Sequence, residues 1–196
     1  MSKTDQELLD QHHALADELQ TLLIQEGLLA VIQKFGLAAV GGSAALGLLV
    51  RRDVDVSVRL KDDMDTATFF EIGAAITKQF LVQKASYSNH FVRNWPGFDH
   101  GLYWGIQLKH QGVVWKLDLW GYGPAQFDVH RRRHVLLSQA LGKLERAAIL
   151  RLKDDLHDGE GYRYGATGPD LYTAMSTGGV RDAAQFEQWW AAHRAR

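Results

Sequence analysis

The sequence predicts an α/β (α+β) chain: a mixed β-sheet flanked by helices, with a helical C-terminal region. Three observations carry this. Runs at residues 53–58 and 115–120 alternate from one face to the other, the pattern of strands with one buried face. Stripes such as Phe69, Ile72, Ile76 and Phe80 have helical spacing and read as covers for a sheet. Beyond Pro124 only the helical spacing recurs. We therefore expect a sheet-bearing domain over residues 1–124 and a helical region over 125–196 packed on it.

Taken in order, Thr4-x-x-Glu7 is a capping box, and Leu8, Leu15, Leu19 and Leu22 form one face of the helix it opens. Gly27 interrupts it, residues 28–35 resume it, and Gly36 is the expected C-cap. Residues 37–40 form a short buried strand that ends at Gly41-Gly42-Ser43. After the second strand, Asp65 caps the next helix. Residues 81–94 are extended, with His90 and Arg93 on that strand, and the Pro-Gly of residues 94–99 marks a loop. Gln111-Gly112 joins two strands as a hairpin. In the second of these, Trp115, Leu117 and Leu119 share one face, and Lys116, Asp118 and Trp120 the other. A long helix is expected over 126–156, then a Gly/Tyr-rich loop over 159–168. Pro169 and Asp170 open a further helix, Gly178-Gly179 ends it, and residues 182–193 form the last.

A length of 196 residues suits one domain, or one domain with a helical appendage, and 46% hydrophobic content supplies a core. A net charge of −1 makes long nucleic acid an unexpected partner, because a nucleic-acid groove carries a basic excess. The absence of cysteine excludes disulfides and thiolate metal sites. The N-terminus lacks a signal-peptide pattern, and no apolar run approaches the roughly 18 residues of a membrane span. The expected location is therefore cytoplasmic, with no membrane partner.

The chemistry centres on residues 40–58. Gly42 and Ser43 can bring backbone N–H groups and a hydroxyl close to phosphate oxygens. Asp53 and Asp55 are two apart in a Val-rich strand, so their carboxylates share a face while Val54, Val56 and Val58 point into the core. Adjacent carboxylates repel and favour a divalent cation beside them. Asp118 is a lone carboxylate on a later apolar strand, costly to bury unless paired or metal-bound. Blander readings stand beside these. The Gly-Gly-Ser turn could be an ordinary strand-to-helix turn, Asp53 and Asp55 a solvated strand end beside Arg51 and Arg52, and Asp118 an ion-pair partner of Lys116 or of an arginine.

Gly42-Ser43, then Gly47, then Asp53-x-Asp55, then Asp118 on a later strand resembles the nucleotidyltransferase superfamily, the DNA-polymerase-beta-like fold in its small form. The likeness covers roughly residues 37–120. It implies Mg²⁺-dependent transfer of a nucleoside monophosphate, expected to be AMP, from an NTP (ATP) to a hydroxyl acceptor on a small molecule or protein. By the same resemblance Gly42 and Ser43 hold the β- and γ-phosphates. Asp53 and Asp55 hold Mg²⁺. Asp118 binds a second metal or acts as base. Arg51 and Arg52 are the only basic groups that the stretch itself offers a triphosphate, and Arg52 is the candidate contact. Many family members carry Arg where this chain has Leu46, and the segment 44–50 is apolar. A second reading is therefore a catalytically inactive nucleotidyltransferase-like binding or antitoxin module.

Other features have structural readings. His130 and His134 have a spacing that can bind zinc, but they bracket Arg131–Arg133 and read as a solvated basic face. Trp95, Trp104, Trp115 and Trp120 are expected in core or sheet packing, and Trp189 and Trp190 as pins for the terminal helix or as a dimer contact.

Overall fold

The computed structural model describes residues 3–93, 100–157 and 162–194. The Pro-Gly loop, with Trp95, and part of the Gly/Tyr-rich loop lie outside the described residues.

Thr4 caps α1 (Asp5–Gln20) in a complete capping box with Glu7. Leu8, Leu15 and Leu19 are buried along it. The chain then widens into a π-helical turn, Thr21–Gln25, which the periodicity does not announce. Gly27, at φ 80°, makes the left-handed step into α2 (Leu28–Gln33). Helix α2 ends earlier than expected, and Gly36 is not its cap. A Cβ on Gly36 would lie 2.2 Å from the Arg59 carbonyl oxygen, so close approach to a strand demands glycine there.

Strands β1 (Ala38–Val40), β2 (Asp53–Arg59), β3 (Leu81–Asn89), β4 (Leu102–His110) and β5 (Val113–Tyr122) form one sheet in the order β1-β2-β5-β4-β3. The β2–β5 pair is parallel and the other pairs are antiparallel, so the sheet is mixed as expected. Gln111 at φ 48° and Gly112 at φ 83° give the hairpin a turn with two left-handed residues, matching strand twist. A short helix, α3 (Gly42–Leu46), follows β1. Helix α4 (Thr66–Gln79) is capped by Asp65, which accepts from the Thr68 N–H. Phe69, Ile72 and Ile76 of α4 are fully buried against the sheet, with Val54, Val56, Val58, Trp115, Leu117 and Leu119.

His90 and Arg93 are not on a strand. Residues His90–Arg93 form a single helical turn, α5. The Asn89 side chain accepts from the backbone N–H groups of Phe91 (3.0 Å) and Val92 (3.4 Å), which turns the chain at that point.

The long helix expected over 126–156 is two helices, α6 (Pro124–Leu141) and α7 (Arg146–Leu156). Gly142, a weak helix former, closes the first, and Glu145 is extended at ψ 128°. A capping box of Thr167 and Asp170, with Pro169 in the first turn, opens α8 (Gly168–Ser176). Helix α9 (Ala183–Arg194) completes the chain, with Phe186 buried and Trp189 and Trp190 packed beside it. The helices α6–α9 enclose a second apolar cluster, to which the N-terminal part contributes Leu8 and Leu48. Leu46 packs against that cluster too, which accounts for an apolar residue after the turn.

Phe69 makes tilted ring contacts with Trp104 (6.5 Å between centroids) and Tyr87 (6.4 Å), and lies against Gly121, where a Cβ would fall 2.7 Å from its ring. Replacing Phe69 with Ala is expected to lower stability by about 3–5 kcal/mol, read as a lower urea midpoint with an unchanged slope.

Candidate active site

Parallel pairing of β2 with β5 sets the register of Asp55 against Asp118 and of Asp53 against Lys116. Alternation does the rest. Val54, Val56, Leu117 and Leu119 take the core face, and all three carboxylates fall on the opposite one. Asp118 is thus brought together with Asp53 and Asp55, which are far from it in sequence.

The Gly-Gly-Ser turn abuts this group. The Gly41 N–H donates to the Asp55 carbonyl oxygen at 2.8 Å. Gly42 has φ 53°, and a Cβ there would stand 1.8 Å from Asp55 Oδ2. Glycine is required both for the left-handed backbone and for the approach of the turn to the carboxylate.

The charges are compensated unevenly. Arg51 pairs with Asp53 Oδ2 at 2.9 Å. It also donates to His157 Nε2 at 2.8 Å and lies over the Tyr162 ring. Lys116 Nζ lies 2.6 Å from Asp118 Oδ2 and 3.8 Å from Asp53 Oδ1. The Tyr103 hydroxyl donates to Asp118 Oδ1 at 2.5 Å. Asp118 therefore does make the Lys116 ion pair that one reading of the sequence expected, and does so while facing Asp55. Burial, then the charges of Asp53 and Asp118, push the Asp55 carboxyl up to about 7. Burial and the same carboxylates raise the Tyr103 phenol.

Arg52 is directed away from the turn. Its guanidinium makes a two-pronged contact with Glu18 of α1, at 2.7 and 2.8 Å. The basic group at the turn is instead Lys153 of α7, which the sequence analysis missed. Its Nζ donates to Ser43 Oγ at 2.6 Å, to the Tyr172 hydroxyl at 3.0 Å and to the Leu48 carbonyl oxygen. Ser43 Oγ and the Tyr172 hydroxyl are themselves 2.9 Å apart. Lys153 is completely buried. Burial first, then the Arg51 charge, push its ammonium down to about 7. A signal existed: Lys153 sits among Ile149, Leu150, Leu152 and Leu156 in an otherwise apolar helix face.

Among the described residues, no three Asp, Glu or His side chains form a ready-made chelate. The donor set nevertheless fits a hard divalent cation, because it consists of carboxylates alone. Among the described residues Asp53 Oδ1 is buried without a hydrogen bond, and two residues lacking side chains, Gly41 and Gly42, flank Asp55.

The remaining candidates have other surroundings. His130 stacks on Tyr122 at 4.2 Å, and His134 faces the Gly42 carbonyl oxygen at 3.5 Å, so the two do not converge on one point. Arg131, Arg132 and Arg133 are exposed. His90 is buried beside Trp120 (5.1 Å) and Tyr103 (6.0 Å), on the Asp118 side of the sheet. Trp115 is in the core, and Trp104 donates to the Phe69 carbonyl oxygen at 3.2 Å.

No family model and no curated protein matches this sequence. Solved structures do match its fold. A chain of the poly(A) polymerase complex of GLD-2 and GLD-3 superposes with a TM-score of 0.58 at 15% identity, over 92% of this chain and 61% of that one. A chain of the GLD-2/RNP-8 complex superposes with a TM-score of 0.51 at 14% identity, over 78% of this chain and 58% of that one. The chain thus spans about three-fifths of the length of these structures. The fold is the nucleotidyltransferase fold, a mixed sheet with flanking helices.

Gly42 and Gly112 provide a matched pair of tests. Both have positive φ, but nothing lies within 4 Å of a Cβ on Gly112. Gly112→Ala is expected to cost only the backbone penalty, about 1–2 kcal/mol. Gly42→Ala adds the collision with Asp55 and should cost clearly more in urea unfolding.

Proposed function

We propose that this chain is a Mg²⁺-dependent nucleotidyltransferase that moves a nucleoside monophosphate, AMP with ATP as donor, to a hydroxyl acceptor. The observation that carries the proposal is the register of Asp55 against Asp118, with the Gly42-Ser43 turn seated against Asp55. Asp53, Asp55 and Asp118 are the residues that hold Mg²⁺. When bound, the ion neutralises phosphate charge and polarises the phosphoryl oxygens. Ser43 and the turn take the β- and γ-phosphates, and Lys153 beneath Ser43 supplies positive charge to them. The acceptor oxygen bonds to the α-phosphorus, the bond to the β-phosphate breaks, and pyrophosphate leaves. The protein contributes positioning and electrostatics, which suffice for this class of reaction.

The acceptor is a hydroxyl on a small molecule or a protein, in keeping with the net charge of −1. The poly(A) polymerase name of the structural neighbour adds an RNA 3′ end to the acceptors worth testing. The test is incubation with Mg²⁺, α-labelled NTPs and a panel of sugars, protein and short RNA. Label transfer should occur with wild type and fall at least about a hundredfold in Asp53→Ala. Transfer that survives the substitution overturns the role of Asp53.

One observation favours a catalytically inactive nucleotidyltransferase-like binding or antitoxin module instead: both oxygens of Asp118 already have protein partners, Tyr103 and Lys116. That reading requires no label transfer to any acceptor.

Lys153 gives the proposal a proton-linked signature. Its ammonium falls from 10.5 to about 7 on folding, so between these values the unfolded chain holds a proton that the folded one lacks. Stability should therefore rise with pH across that window, and flatten in Lys153→Met. An anion at Ser43 restores the proton to Lys153. Triphosphate binding at pH 8 should then take up a proton, measured as a calorimetric enthalpy that varies with buffer ionisation heat, and Lys153→Met should abolish the variation.

A further inference from the structure

The carboxylate group contains a cation of its own. Lys116 lies two residues before Asp118 on β5 and opposite Asp53 in the parallel register. Its ammonium stands between the two carboxylates, 2.6 Å from Asp118 Oδ2 and 3.8 Å from Asp53 Oδ1. Arg51 engages the other oxygen of Asp53, and Tyr103 the other oxygen of Asp118. Lys116 is thus the group that approaches the two oxygens left for an incoming ion. Its side chain is 46% exposed, against 17% for Asp53 and 16% for Asp118, so it can swing out to water while the carboxylates stay in place. A lysine has a flexible four-carbon stem and a compact charge, which suits such an exchange.

We propose that Lys116 is a built-in counter-ion of the carboxylate centre, and that a divalent cation binds there only by displacing its ammonium. Occupation by Lys116 and occupation by metal are alternatives, because the ammonium already stands at Asp118 Oδ2 and Asp53 Oδ1, on the two carboxylates that would hold the ion. Without metal, Lys116 relieves the repulsion among three adjacent carboxylates. With metal, its ammonium is repelled from the centre and released to solvent. Metal affinity is then set by the difference between two cations at one place. The inference rests on the metal-binding part of the function proposed above.

The test uses Mn²⁺ alone, with free ion counted by electron paramagnetic resonance on the full chain. Lys116→Met should bind Mn²⁺ about tenfold more tightly than wild type, a modest coupling in keeping with a half-exposed pair. Lys116→Arg, which keeps the charge, should stay near the wild-type affinity. In EDTA, Lys116→Met should melt at a lower temperature than wild type. A second measurement needs no variant. Mn²⁺ should raise the rate at which an amine-reactive reagent labels Lys116, followed by mass spectrometry. Equal or weaker Mn²⁺ binding by a folded Lys116→Met, or labelling indifferent to Mn²⁺, overturns the proposal. Asp53→Asn separates the two levels. Binding that depends on Asp53 but not on Lys116 removes only the counter-ion. No binding by wild type or Lys116→Met removes the metal site as well.

Discussion

The parallel pairing of β2 with β5 is the constraint on which the rest depends. Every other pairing in the sheet is antiparallel, and this one joins the strand after the glycine turn to the last strand of the hairpin. Because side chains alternate along both strands, one register puts Val54, Val56, Leu117 and Leu119 in the core and the three carboxylates together outside it. A slip by one residue would exchange the two sets, burying Asp118 in the core and exposing Leu117 and Leu119. The hydrophobic requirement of the core therefore fixes the geometry of the polar face.

Gathering three carboxylates has a cost in repulsion and lost hydration, and the surrounding residues are arranged against it. Arg51 and Lys116 supply positive charge, and Tyr103 supplies a donor. Lys153 is the counterpart at the turn, a buried ammonium held by Ser43, Tyr172 and a backbone carbonyl. Both arrangements join chain segments far apart in sequence. Ser43 comes from the start of α3, Lys153 from α7 and Tyr172 from α8. The helical region is thereby joined to the glycine turn by hydrogen bonds.

Much of this was legible locally. The capping box at Thr4, the helix start at Pro169 and Asp170, the Asp65 cap, and the alternation through residues 53–58 and 115–120 each depend on neighbours a few residues away. Gln111-Gly112 announced its hairpin for the same reason. What the sequence did not disclose depends on tertiary partners. Gly36 reads as a cap until the Arg59 carbonyl is seen above it. His90 reads as extended until the Asn89 side chain is seen to cap a turn. Arg52 adjoins the turn in sequence but finds Glu18, while Lys153, 110 residues from Ser43, reaches it. A charged residue on the apolar face of α7 was the available clue.

The pairing of Asp55 with Asp118 also bears on how the chain assembles. Helix caps and the β4–β5 hairpin can form from nearby residues, whereas a parallel pairing across this separation must close a long loop. Asp118 is thus kept apart from Asp53 and Asp55 during the early steps. They meet only when Val54, Val56, Leu117 and Leu119 pack, at the moment when burial of those residues yields enough free energy to hold like charges together. The carboxylate group is thereby tied to the core, because the register that packs those residues is the one that sets Asp118 against Asp55.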